Sequence, residues 1–385
     1  MTGEAYDHLM AAVVLGALFM AAVFVVPNLA YVNLLYMEKQ QMRNLALSAF
    51  KTMLFDEGYP ADWGSMHGAS LFREGDVKRF GLALVSDPSF YVLDSNKVQR
   101  LASNPTGNLS YEKARALLGL SGYDFSLVLR PLFTVDRAVS ISRPYDRTAS
   151  ISFWVNVSRY DGHPVPNAIV WAVVIYAVDT PATGFAQFRA TTDSLGRCEG
   201  SHVVSVESGQ KITDVVVVFR VTVADLATML VSAEDTRSPN NIAKINIVGD
   251  SIVLTNPDDL SGSEHAARWV LNILLFNFET SVNLLNGSRS NDYKLTYGKG
   301  FDVWSQAFAG LSASEPGILV LTFDAVDRGR TVLLLVGPYA LWNLGGVIGF
   351  NSGGGHGGET VSIERNVIIS GMAYVAELRL WKSAE

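Results

Sequence analysis

The order of apolar and polar positions divides the chain into a helix-forming start and a long strand-forming remainder. No Asp, Glu, Lys or Arg occurs between Asp7 and Glu38, and the run "LMAAVVLGALFMAAVFVVPNLAYVNLLYM" fills Leu9 to Met37. A bilayer core of about 30 Å needs roughly 20 residues of helix rising about 1.5 Å each. The run is longer than that, so it predicts a helix that spans and still protrudes. Pro27 removes one backbone hydrogen bond and predicts a kink. Past Glu38 the pattern turns amphipathic: Leu45, Ala49, Met53 and Leu54 recur at helical spacing, with Lys39, Arg43 and Lys51 on another side. Gly58 and Pro60 are helix stops, so a single helix is expected from about His8 to Phe55.

Mixed periodicity follows. "GDVKRFGLALV" and "SNKVQRLA" predict short helices, and "SYEKARALLGLSGYDFSLVLRPLFTV" predicts a helix and then a strand. Ser110 is suited to be an N-cap, Gly119 and Gly122 end the helix, and Phe125, Leu127 and Leu129 alternate. From about Ala149 the alternation is that of a β domain, with tight turns at Asp161-Gly162 and Asp193–Gly196. Beyond residue 224, "AKINIVGDSIVLTN", "RWVLNILLFNF", "GILVLTFDAV", "RTVLLLVGPYAL", "ETVSIERNVIISG" and "AYVAELRLW" read as strands of another sandwich or jelly-roll-like head. The expected fold is mainly β with a long N-terminal α-helix. Residues 1–58 form the helical stem, 59–148 a small α/β neck, 149–223 a β-sandwich and 224–385 a C-terminal β-rich domain.

Composition narrows the function classes. A length of 385 residues suits two or three domains. A net charge of −7 gives no basic field, so nucleic acid is not an expected partner. The lone Cys198 forms no intramolecular disulfide and reads as a small buried apolar residue. The histidines lack the i, i+4 pairing of a zinc protease, and Ser261–His265 ("SGSEH") has no nucleophile elbow around it. Asp258-Asp259 follows Asn256-Pro257 and reads as a turn. The loop "NLGGVIGFNSGGGHGGET" lacks the Gly-Lys-Ser/Thr ending of a phosphate cradle. Turn chemistry also accounts for Asp161 and Asp193, since neither loop offers the oxygens Ca²⁺ requires. Sequons at Asn108, Asn156 and Asn286 are no more than chance supplies. Neither a catalytic site nor a cofactor or metal is expected.

Two stretches carry family resemblances. The uncharged helix with early Asp7, mid-helix Pro27, an amphipathic second half and the sequel "TMLFDEGYPADWGS" resembles type IV pilin-like proteins, in particular archaeal surface proteins of that kind. That resemblance implies a membrane-stored subunit whose helix packs into a filament core. Cleavage next to Gly3 would leave Asp7 near the acidic position of pilins, where it would set subunit registry. Pro27, Leu45, Ala49 and Met53 would belong to the helix-packing face. Separately, "DGHPVPNAIV" with "TTDSLGRCEG" resembles carboxypeptidase-regulatory-like, immunoglobulin-like modules over roughly residues 149–223. This implies a β-sandwich spacer without catalysis.

The expected protein is therefore a non-catalytic cell-surface subunit. Its partners are membrane lipid and, through the N-terminal helix, other copies of itself. The alternative is a monomeric anchored receptor or adhesin that binds a surface glycan or protein through the C-terminal domain, with Trp304, Tyr339 and Trp342 lining the site. A cleaved signal and a buried core helix are further readings of the apolar run. Lys39, Arg43 and Lys51 follow the run, so the positive-inside rule alone would place the bulk of the chain in the cytoplasm. The β-rich remainder argues for the outside, and that orientation is the expectation.

Overall fold

The computed structural model describes residues 2–66, 72–85, 91–102, 107–179, 183–232, 244–249, 251–255, 267–276, 281–285, 303–307, 318–325, 330–336, 348–350 and 359–383. It is mainly β, with one long N-terminal helix and several sheets. Helix α1 (Thr2–Phe55) continues through Pro27 without interruption, and at about 1.5 Å per residue it is about 80 Å long. The neck contains β1 (Val92–Leu93), α2 (Ser95–Gln99), α3 (Tyr111–Leu117) and β2 (Tyr123–Pro131). Next come β3 (Phe133–Tyr145), β4 (Thr148–Arg159), β5 (Ile169–Val178), β6 (Thr183–Thr191), β7 (Arg197–Ser205), β8 (Ile212–Val223) and β9 (Leu226–Ser232). The last part holds β10 (Lys244–Val248), β11 (Ser251–Thr255), β12 (Ala267–Phe276), β13 (Ser281–Leu285) and β14 (Val303–Ala307). It ends with β15 (Ile318–Ala325), β16 (Arg330–Val336), β17 (Ile348–Phe350), β18 (Thr360–Ile369) and β19 (Met372–Lys382).

A nine-stranded sheet organises the molecule, in the order β1-β18-β19-β9-β8-β5-β6, with β2 also on β19 and β17 on β2. Its strands β5 and β8 are covered on both faces. Val170, Ala172 and Val174 with Val215, Val217 and Phe219 point to one core, shared with the inner face of β3-β4-β7. Val173, Ile175, Val216 and Val218 point the other way, into a core that also takes Leu274, Phe276, Ile318 and Val320 of the β13-β12-β15-β16 sheet. Phe185 of β6 stacks on Phe276 of β12 at 5.2 Å. Two sandwich-like interfaces thus share a central sheet. That sharing explains the sequence texture: "VWAVVIYAV" and "DVVVVFRVTV" are nearly unbroken apolar runs because both faces are buried, whereas β4 alternates because one face meets solvent.

Strand pairing crosses the boundaries expected from sequence. Strand β3, assigned above to the neck, pairs along its length with β4 and so belongs to the sandwich. Hairpin β18–β19, assigned to the C-terminal domain, pairs with β2 from Tyr374↔Pro131 to Lys382↔Tyr123 and completes the neck. Local periodicity identifies a strand but not its partner. Met372 of β19 also pairs with Ala227 of β9, joining neck and sandwich in one sheet.

The segment expected as a helix at residues 75–85 is instead a single 3₁₀ turn, Glu74–Asp76, followed by extended chain. The extended chain serves the end of α1. Leu82 N–H donates to the Met53 carbonyl at 2.8 Å and Ala83 N–H to the Asp56 carbonyl at 3.1 Å. These satisfy carbonyls that the helix end leaves without intrahelical partners. Gly81 allows the close approach, since a Cβ there would lie 2.1 Å from the Asp56 carbonyl oxygen. Tertiary satisfaction of backbone groups overrides local helix propensity here.

Candidate functional site: the apolar helix and its seat in the head

The sequence of α1 makes two surfaces in succession. From Tyr6 to Val23 it forms an 18-residue segment long and apolar enough to cross a membrane, and no part of that segment is buried within the protein. Tyr31, Val32, Leu34, Leu35, Tyr36 and Met37 carry the exposed apolar surface onward. Asp7 is exposed at the outer end. From Met42 onward the helix enters the head, and Met42, Ala46, Ala49, Phe50, Met53 and Leu54 form a buried stripe at helical spacing. Arg43 and Lys51 point to solvent.

This relocates part of the expected assembly face. Ala49 and Met53 are fully buried and Leu45 half-buried, all in the core of their own head rather than on a surface open to another subunit. The heptad-like spacing was legible in the sequence, but the identity of the covering surface was not. Covering comes from the neck and from β18 and β19. Two exposed ion pairs mark the rim where the helix enters, Lys39–Glu359 at 3.0 Å and Lys382–Glu38 at 3.1 Å. Each is worth about 0–1 kcal/mol, so they set orientation more than stability.

Beneath the seat lies a buried polar brace that sequence reading missed. The helix α2 is polar in composition, yet Ser95, Asn96, Lys97, Gln99 and the following Arg100 are all buried. Asp94 caps it, accepting from Asn96 N–H at 2.8 Å. Lys97 Nζ donates to the Ala83 carbonyl at 2.8 Å and lies 3.6 Å from Asp94. Arg100 donates to the carbonyls of Gly64 (3.1 Å) and Gly107 (2.9 Å) and sits over the Phe72 ring at 4.8 Å. Burial lowers the Lys97 ammonium below its usual range and pushes Arg100 down to about 10. Trp63, also fully buried, donates from Nε1 to the Gly81 carbonyl at 2.9 Å and packs near Phe72 and Phe80. These side chains are committed to loop carbonyls around the helix end, which makes them a scaffold for the stem. The available signal was Gly64, Gly81 and Gly107, whose small size lets those carbonyls approach.

A second polar network lies on the neck sheet. Arg130 pairs with Glu364 (2.7 Å) and Glu377 (3.2 Å), and Tyr160 donates to Glu364 at 3.1 Å. Burial alone would raise the Glu377 carboxyl. Hydrogen bonds from Arg379 and Ser362, with the charges of Arg379 and Arg130, outweigh it and hold that group below the usual carboxylate range.

Of the aromatic set expected to line a ligand site, only Trp304 falls among the described residues. Trp304 lies on β14 opposite Leu254 of β11, while Tyr339, Trp342 and His356 fall outside the described residues. Cys198 is a free, buried thiol, pushed up to about 11 by burial first and then by Asp193 and Glu199. Among the described residues no group of three His, Cys, Asp or Glu side chains is placed to hold a metal ion.

Fold and site together define a mainly β protein mounted on an apolar helix. No known protein family matches the chain, including the pilin-like and carboxypeptidase-regulatory-like groups it resembles locally, and no curated protein sequence matches it. Among solved structures it is similar to invasin, described as a bacterial integrin-binding protein, with 12% identity and a TM-score of 0.19 over 64% of this chain. The chain spans about half of the invasin chain, 54% of it. A likeness of that size carries no argument about activity or partners.

Proposed function

We propose that this is a non-catalytic, membrane-anchored surface protein, held in the bilayer by the first part of α1 and presenting its β head outside the cell. One observation carries the reading: a single helix has an uncovered apolar segment, Tyr6–Val23, while its far end is locked into the core of the head. An uncovered apolar helix of this length is unstable in water and stable in lipid. The rigid seat supports a stem that transmits position, and the polar groups buried around it are engaged with backbone carbonyls rather than free for chemistry.

A filament or bundle subunit is the second reading. The exposed apolar surface continues from Tyr31 to Met37, beyond the segment needed to cross the bilayer, and helices of neighbouring copies would cover it. The deciding experiment is membrane fractionation with alkaline carbonate extraction, protease accessibility on intact cells, and electron microscopy of sheared material. Anchoring predicts that the full chain stays in the carbonate-resistant pellet with its head cleavable from outside, and that deletion of residues 2–36 releases it. Full-length chain in the soluble fraction would reject the anchor. Protection of the head in intact cells would reject the orientation. Filaments in the sheared fraction would select the second reading.

A further inference from the structure

The outer face of β3-β4-β7 displays an exposed tryptophan, Trp154, that neither folding nor anchoring explains. Central strand β4 is hydrogen-bonded on both sides, to β3 and to β7, and packs Ile151, Phe153 and Val155 inward against the sandwich core. The opposite positions face solvent, so the sheet is a rigid support for whatever they display. In its middle stands Trp154, 45% exposed. Strand register sets Ala138 on one side of it and Glu199 on the other. The next row holds three serines directly opposite one another: Ser140, Ser152 and Ser201. All three are exposed, as is Ala138.

Cross-strand neighbours lie about 5 Å apart and the outer strands about 10 Å apart. Ala138 and the serine row leave one side of the Trp154 indole accessible, and that row offers hydroxyls that both donate and accept. On the other side, Asp136 and Arg197 flank Asn156 and carry opposite charges, which leaves Glu199 as the unbalanced charge of these rows and no strong field for a polyanion or polycation. A protein partner would favour a larger apolar centre with several aromatic anchors. A pyranose fits better: its C–H face packs on an indole while its equatorial hydroxyls exchange hydrogen bonds with serine, asparagine and carboxylate groups. We infer that the outer face of β3-β4-β7 binds an uncharged polysaccharide, with Trp154 as the stacking residue and the Ser140–Ser152–Ser201 row as the hydroxyl-pairing strip. The inference does not depend on the membrane reading, since every residue in it belongs to the head.

The test uses full-length protein in detergent micelles, co-sedimented with cellulose particles and with chitin particles. Wild type should be retained on at least one, and Trp154→Ala should weaken that retention about tenfold with thermal unfolding unchanged. Trp154→Tyr should keep most of it. Ser152→Arg, which crowds the strip and leaves the core alone, gives the same reading should Trp154→Ala fail to fold. No retention of wild type on either particle overturns the proposal, and so does equal retention of Trp154→Ala or, where that variant does not fold, of Ser152→Arg. A Trp154→Ala variant that turns a dimer into a monomer by analytical ultracentrifugation also overturns it, making the face a contact between copies.

Discussion

Residues 6–37 and residues 42–54 lie on the same helix and are both rich in Ala, Leu and Met, yet they meet opposite environments. The first stretch is exposed at the positions described, while the second supplies a continuous stripe to the head core. Apolar content therefore does not tell which part of a helix is core. The difference lies in the width of the apolar surface. Around residues 9–23 it encircles the helix, as a lipid-facing segment requires, whereas around residues 42–54 Arg43 and Lys51 confine it to one side.

The sharpest way to break this comparison is to place a charge on each half. Phe50→Asp or Met53→Asp buries an unpaired carboxylate in the seat and should cost more than about 4 kcal/mol, read as loss of cooperative unfolding of the head. Leu18→Asp on the exposed half should leave unfolding of the head within about 0.5 kcal/mol of wild type and weaken membrane retention instead. Comparable losses of head stability from both would dissolve the distinction.

A smaller effect is expected from Trp63→Ala, which empties a fully buried site and frees the Gly81 carbonyl. It should cost about 3–5 kcal/mol by denaturant unfolding. An effect below about 1 kcal/mol would mean that the neck does not brace the helix.

Next in size comes Glu377. Its folded-state carboxyl lies below the usual range, so its stabilisation is present above the unfolded carboxylate pKa of about 4.3 and is lost as pH falls through the folded value. Glu377→Gln should cost about 1–3 kcal/mol at neutral pH, and the penalty should shrink on acidification. A penalty independent of pH would reject an electrostatic origin.

The smallest expected change comes from the rim. Lys39→Ala or Lys382→Ala should shift stability by less than about 1 kcal/mol and vanish into the background at high salt, because both pairs are exposed.

Much of the architecture was legible from local pattern. Ser110 does cap α3, accepting from Lys113 N–H at 3.2 Å. Asp193 accepts from the N–H groups of Leu195 and Arg197, and Gly196 has the left-handed φ of 76° that its turn needs. Such features are short-range, and the residues that cause them are adjacent. The buried brace was not legible, because Lys97 and Arg100 look like surface cations until carbonyls from Ala83, Gly64 and Gly107 surround them. For the proposed ligand face the sequence shows that Trp154 alternates outward, but not that Ser140 and Ser201 flank its strand.

By itself, then, the sequence determined where the helix runs, that one stretch of it suits lipid, and which segments become strands, since all of these follow from the periods of 3.6 and 2 within a single element. Only the tertiary structure decided that β19 links neck to sandwich, that Ala49 and Met53 face their own head, and that polar α2 is interior. Those outcomes depend on contacts between separate elements, hundreds of positions apart for β2 and β19 and tens for α2, and neither a strand edge nor a polar helix carries a local signature of its partner.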